Sequence, residues 1–164
     1  FAVLGAVFAD LSGDKTPEIA DIRNRKLFVH SRQGLVYESA DNRGGSLNHF
    51  TYDLNPGSKD RIFTTATLEI PPAAVDMDND GRPELLAATA DTSWFSLSGM
   101  GVDVRKTRVS VTDLTESGYE SAPGSDFLEK AIQGMGAVNG KTWLINTRGS
   151  DKNPASRFYT LDFE

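Results

Sequence analysis

The side chains best suited to chemistry in this chain are acidic, and they come in two matched sets. The segments AVFADLSGDKTPEIADI (6–22) and AAVDMDNDGRPELLAAT (73–89) align without a gap, placing Asp10, Ser12, Asp14 and Glu18 over Asp76, Asp78, Asp80 and Glu84, and Pro17 over Pro83. Counted from Asp10 or Asp76, side-chain oxygens fall at positions 1, 3, 5 and 9. In a tightly curled loop, alternate residues turn inward, so the first three converge while the carboxylate at 9 closes the group from the next strand. Position 7, Thr16 or Arg82, can add a backbone carbonyl. Hard oxygens in that number suit Ca²⁺, which takes six to eight of them at about 2.3–2.6 Å. The chain has no Cys, and neither of its His residues lies in a loop, which disfavours softer transition metals.

Charge supports the same chemistry. Seven carboxylates sit in these two loops, so the net charge of −6 leaves the rest of the chain near +1. Like charges packed into nine residues repel one another, and a bound cation relieves the repulsion. Asp, Asn, Ser and Gly are also ordinary turn residues that bond their own backbone. Two copies in one register, each leaving through Pro-Glu into an apolar run, favour the metal reading over the turn reading. The first loop is the poorer of the two: Ser12 is neutral, and Lys15 stands where Gly81 eases the turn in the second.

Strands must position these loops. EIADIRNRKLFVHSR and ELLAATADTSWFSLS, which follow the two loops, each split into two short apolar runs separated by polar residues, the pattern of strand, turn, strand. A weaker third copy lies in GMGAVNGKTWLINTRGSDKNPASRFYTLDFE, whose turn at Val138-Asn139-Gly140-Lys141 carries no acid. Such drift is usual in repeat arrays, where the stacked core is the shared requirement. Fifteen Gly and seven Pro spread along 164 residues suit many short strands better than long helices.

The loops DLSGDKTPE and DMDNDGRPE resemble the calcium loop of FG-GAP or VCBS-type repeats, the blades of integrin α-subunit β-propellers and of many bacterial surface proteins. The resemblance implies an all-β chain forming a partial β-propeller of two to three four-stranded antiparallel blades. It also implies two Ca²⁺ sites: one held by Asp10, Ser12, Asp14, the Thr16 carbonyl and Glu18, the other by Asp76, Asp78, Asp80, the Arg82 carbonyl and Glu84. In the family the loop joins the first and second strands of a blade. Blade 1 then spans about 1–50, with strands near 3–9, 18–23, 26–31 and 35–39. Blade 2 spans about 70–112, with strands near 72–76, 84–89, 93–97 and 102–111, and a partial blade 3 covers about 135–164. The Phe-Gly and Gly-Ala-Pro elements that name the family are missing or blurred, which favours the looser VCBS-like branch. Propellers close with about four to eight blades, so the remaining blades come from missing sequence or from other copies of the chain. The start at Phe1 and the stop within a pattern at Glu164 read as a piece of something larger.

Segments 40–71 and 112–134 fall outside the repeat as insertions: a decorated hairpin in the first, and in SDFLEKAIQG of the second a short helix capped by Ser125. Insertions of this kind are where a partner would bind.

Other chemistries find little footing. His30 reads as a polar strand residue, and His49 lies in the first insertion beside Phe50 and Tyr52. No G-x-S-x-G surrounds any Ser, and GMGAVNG lacks the helix a dinucleotide fingerprint requires. The basic run RNRK at 23–26 reads as solvated. Net negative charge argues against nucleic acid, and no stretch approaches the roughly 20 apolar residues of a membrane span. The function expected is therefore a non-enzymatic, calcium-stabilised binding or scaffolding module with a protein partner. It is placed in an extracellular, cell-surface or periplasmic setting where Ca²⁺ is about millimolar. The alternatives are a carbohydrate-binding propeller using Trp94 and Trp143, and a propeller domain of a polysaccharide-processing enzyme.

Overall fold

A computed structural model describes residues 5–45, 47–92, 104–138, 140–150 and 153–161. The described residues are all-β. The first sheet is a four-stranded antiparallel meander of β1 (Ala6–Ala9), β2 (Glu18–Arg23), β3 (Lys26–Ser31) and β4 (Gly34–Glu38). A two-stranded hairpin follows, β5 (Leu47–Asp53) with β6 (Phe63–Glu69). The second sheet runs β7 (Ala73–Val75), β8 (Glu84–Thr92), β9 (Val104–Thr115) and β10 (Gly118–Pro123), with the short β11 (Leu128–Glu129) also on β9. The third is the meander β12 (Ile132–Val138), β13 (Lys141–Ser150) and β14 (Asn153–Leu161). No helix long and apolar enough to cross a membrane occurs among the described residues.

Period-two alternation decides how the sheets stack. In the first sheet Val7, Ala9, Ala20, Ile22, Leu27, Val29 and Tyr37 share one face and pack against Ala74, Leu85, Ala87 and Tyr119 of the second. The opposite face of the second sheet, with Ala73, Val75, Leu86, Ala88 and Val109, packs against Ile132, Met135, Ala137, Leu144 and Tyr159 of the third. Strand β8 is thus apolar on both faces, ELLAA, because it is covered on both sides. The first strands of the three sheets lie in a row, β7 touching both β1 and β12.

The segment after β4 ties the first sheet to the second. Gly44 donates its N–H to Ala88 O at 2.7 Å and accepts from Ala90 N at 2.9 Å. A Cβ at Gly44 would lie 2.6 Å from Ile22 Cγ2, and its φ of +79° is left-handed, so both space and backbone demand glycine there. Arg25 and Lys26 of the basic run 23–26 serve this junction instead of being solvated. Asn24 and Arg25, at φ +49° and +61°, make the β2–β3 turn, and the Arg25 guanidinium donates to Ala90 O at 2.8 Å. Lys26 donates to Ser39 O at 2.8 Å and also to Ala40 O.

Two local expectations need correction. The segment around SDFLEKAIQG is not helical: Leu128–Glu129 and Ile132–Val138 are strands, and Ser125 Oγ instead accepts the N–H of Val109 at 2.9 Å. Alternating apolar residues and cross-sheet burial outweigh the local helix signal. The second sheet takes its third and fourth strands from Val104–Thr115 and Gly118–Pro123, so residues 112–123, read as insertion, are sheet. A tight turn with Gly118 at φ +115° makes this hairpin. The strand expected at 93–97 lies outside the described residues.

Glu69, at the end of β6, accepts the N–H of Gly45 at 2.9 Å. Burial raises its pKa, while the Gly45 N–H and the Arg25 charge oppose the rise. A carboxyl whose folded pKa is raised contributes stability that is present below its unfolded pKa and lost as pH climbs through the folded value. Glu69→Gln keeps an acceptor for Gly45 without that titration. Melting temperatures measured from pH 4 to pH 7 should therefore shift progressively in favour of the Gln variant relative to the parent; a flat difference would contradict the assignment.

Candidate metal centre

Both acidic loops open a sheet between its first two strands, and both close in the same way. Glu18 Oε2 accepts the N–H of Leu11 at 2.8 Å, and Glu84 Oε2 accepts that of Met77 at 2.7 Å. Asp10 Oδ2 accepts the N–H of Lys15 at 2.8 Å, and Asp76 Oδ2 accepts that of Gly81 at 3.0 Å. Asp14 Oδ1 takes Thr16 N–H at 2.7 Å and Asp80 Oδ1 takes Arg82 N–H at 2.8 Å. The equivalence read from sequence is therefore reproduced in these three pairs of bonds. It extends to backbone conformation, with left-handed residues at position 4 (Gly13, φ +75°; Asn79, φ +62°) and at position 6 (Lys15, φ +70°; Gly81, φ +90°). Each loop thus has one glycine at one of its two left-handed positions, and the sequence comparison saw only the deficit at Lys15.

The loops differ in what they gather. In the second, carboxylate oxygens of Asp76, Asp78 and Glu84 all lie within 4.8 Å of one another. Glu84 is buried, and its pKa is raised, first by burial and further by the negative charges of Asp78 and Asp113, against the opposing bond from Met77 N–H. Asp76 Oδ1 is buried without a hydrogen-bond partner. An oxygen so placed is costly to bury and fits a cation as its missing partner. Asp10 Oδ1 is in the same position in the first loop. There, however, Ser12 replaces an acid, and its hydroxyl donates to Glu18 Oε1 at 2.9 Å while its N–H reaches Glu18 Oε2 at 3.3 Å. Among the described residues, no equivalent acidic trio forms in the first loop.

Asp80 stands apart from the trio. Its Oδ2 receives the Arg82 guanidinium, Nη2 at 2.6 Å and Nε at 3.0 Å, and that pairing lowers its pKa. Arg82 also donates Nη1 to Leu114 O at 3.0 Å, and its aliphatic stem packs on the first loop, where a Cβ at Gly13 would lie 3.1 Å from Arg82 Cγ. Sequence reasoning named Thr16 and Arg82 for their carbonyls and missed this side chain, although an Arg two residues after an Asp is a visible signal. Glu18 and Glu84, expected as ligands only, are also the acceptors that fix the loop backbone.

Next to the first loop, Ser12, Asp14 and Glu18 face Leu114 and Tyr119 across a cavity of about 430 Å³. Burial, and secondarily the Glu18 charge, push the Tyr119 phenol up to about 12. Trp143 is exposed on the face of the third sheet turned away from the second, not between sheets. Trp94 and Phe95 lie outside the described residues, as does the side chain of His49. His30 meets Arg23 Nη2 at 3.0 Å and stacks near Phe28, which is the polar strand role expected of it.

Compared with known proteins, the chain matches no family model and no curated protein.

Gly81→Ala places a Cβ at φ +90°, where its backbone N–H must still meet Asp76. It should cost about 1 kcal/mol, measured by urea unfolding. An unchanged midpoint would mean the second loop does not need its left-handed turn.

Proposed function

We propose that this chain is a calcium-stiffened segment of a β-propeller of the FG-GAP or VCBS type, acting as a binding or scaffolding module of an exported or cell-surface protein, without catalysis of its own. The observation that carries this reading is the second loop. Three carboxylates lie within 4.8 Å of one another, and one of them, Asp76, has a buried oxygen that lacks a hydrogen-bond partner. Asp76, Asp78 and Glu84 would hold the ion, joined by Asp80 if it leaves Arg82. The ion would supply charge compensation, fixing the turn between the first two strands. Asp10, Asp14 and Glu18, with the Ser12 hydroxyl, would form the second and poorer site.

Further support comes from the arrangement of the sheets. Three antiparallel sheets follow one another in chain order with their first strands in a row, as successive blades would. The β5–β6 hairpin, which exposes Leu54, Ile62 and Phe63, is the insertion to which we assign a protein partner, since clustered exposed apolar residues mark such sites. Extracellular or periplasmic placement follows from the millimolar Ca²⁺ that loops of this kind need.

The test is thermal melting in Ca²⁺ and in chelator. At calcium a hundredfold above the dissociation constant, one site stabilises by about 2.7 kcal/mol. Asp76→Ala and Asp78→Ala should abolish most of that gain, and Ser12→Ala should remove little. A melting point indifferent to Ca²⁺ in the parent chain would overturn the reading.

A further inference from the structure

The first and second sheets each turn a forward face to the sheet that follows. At one end of the first such joint, beside the first loop, a cavity of about 430 Å³ lies open between the sheets. Asp14 and Glu18 of the loop line it, with Gln33 and Val36 at the β3–β4 turn and Leu114 and Tyr119 at the β9–β10 turn.

Its walls are of two kinds. Val36, Leu114 and the Tyr119 ring are apolar, and the phenol, pushed up to about 12 by burial and then by the Glu18 charge, stays neutral. Asp14 and Glu18 bring two negative charges, and no Lys, Arg or His among the described residues lines the cavity. Lys15 and Arg32, adjacent in sequence to Asp14 and Gln33, are exposed and do not line it. The two acids play different parts. Glu18 is buried, and its oxygens already accept the Leu11 and Ser12 N–H groups and the Ser12 hydroxyl, so it supplies charge. Asp14 is exposed and enters no ion pair among the described residues. Its Oδ1 takes the Thr16 N–H, which leaves Oδ2 open as an acceptor.

A concave site with apolar walls, two negative charges and no counter-charge is complementary to a cation carried on an apolar stem. A guanidinium answers each feature: it is always charged, its planar fork suits a carboxylate, and it stacks on aromatic rings. We propose that the cavity takes the side chain of an arginine from a protein partner, its guanidinium at Asp14 with the Glu18 charge behind it and its methylene stem along Val36, Leu114 and Tyr119. The inference rests on the binding-module reading for its partner and does not need an ion. Ser12 stands where the second loop has Asp78, and the first loop gathers no acidic trio among the described residues. Ca²⁺ entering there would compete for Asp14 and Glu18, so the test is made in chelator.

The probe is Nα-acetyl-arginine methylamide, titrated into the chain and followed by amide proton–nitrogen spectra. The amides of Gln33, Val36, Gly118 and Tyr119 should move along one saturable curve, and those of the third sheet should stay in place. The citrulline analogue, which keeps the shape without the charge, should bind at least about tenfold more weakly. Asp14→Asn keeps an acceptor for the Thr16 N–H and should weaken the arginine probe by a similar factor. Gln33→Lys, at an exposed position, sets a cation of the chain's own at the mouth and should also weaken it. Equal binding of the arginine and citrulline probes would assign the cavity to a neutral ligand and overturn the proposal. So would the absence of saturable shifts, or binding that neither variant changes. Because the probe is a single capped residue in chelator, failure here is read apart from failure to find a partner and from the melting test of the loops.

Discussion

The two acidic loops depend on a carboxylate reaching backward. Glu18 and Glu84 begin the second strands of their sheets, yet each accepts the N–H of a residue seven positions earlier, Leu11 and Met77. That bond pins the entry of the loop to its exit, so the six residues between must curl. Once they curl, Asp10 and Asp76 each accept one N–H from across the turn. The acid at position 9 is thus first a structural acceptor. Its capacity to meet a cation follows from the oxygens that the same bond draws together. Burial raises the pKa of Glu84, and a nearby cation would act in the opposite direction.

The loops sit at the edge of a larger constraint, the stacking of sheets through alternate faces. Glu18 and Glu84 fall in the same alternation phase as Ala20 and Ile22, and as Leu86 and Ala88, so each loop is anchored on the forward face of its sheet. Gly44 and Arg25 then lock the first sheet to β8 by backbone and guanidinium bonds. Geometry at a loop and packing at a joint are therefore set by one register. A slip of one residue in β2 or β8 would reverse both together.

Much of this was legible in the residues. The 6–22 and 73–89 alignment located both loops, and the strand pattern with the family resemblance placed the four strands of the first sheet, because turn chemistry and alternation agree there. The third sheet was legible from its strand pattern. Beyond β8 the second sheet was legible in part: the strand read near 102–111 overlaps β9, which pairs directly with β8, and the strand read near 93–97 lies outside the described residues. The helix signal in SDFLEKAIQG failed because a capping Ser and a few good helix formers say nothing of the neighbouring strand. Ser125 spends its hydroxyl on Val109 instead. At the site, the oxygen positions were legible, and the Asp80–Arg82 spacing was a signal left unread, although the geometry of the pair depends on a side-chain rotamer. The stacking of Arg82 on Gly13 was not legible, since it depends on how two sheets meet.

The claim that a backward-reaching glutamate shapes each loop is tested most directly by amide hydrogen exchange at Leu11 and Met77 in chelator. Both amides should be protected to the level of their sheets, and Glu84→Ala should release Met77 while leaving Leu11 unchanged. Rapid exchange of both amides in the parent chain, or protection of Met77 that survives Glu84→Ala, would contradict the account.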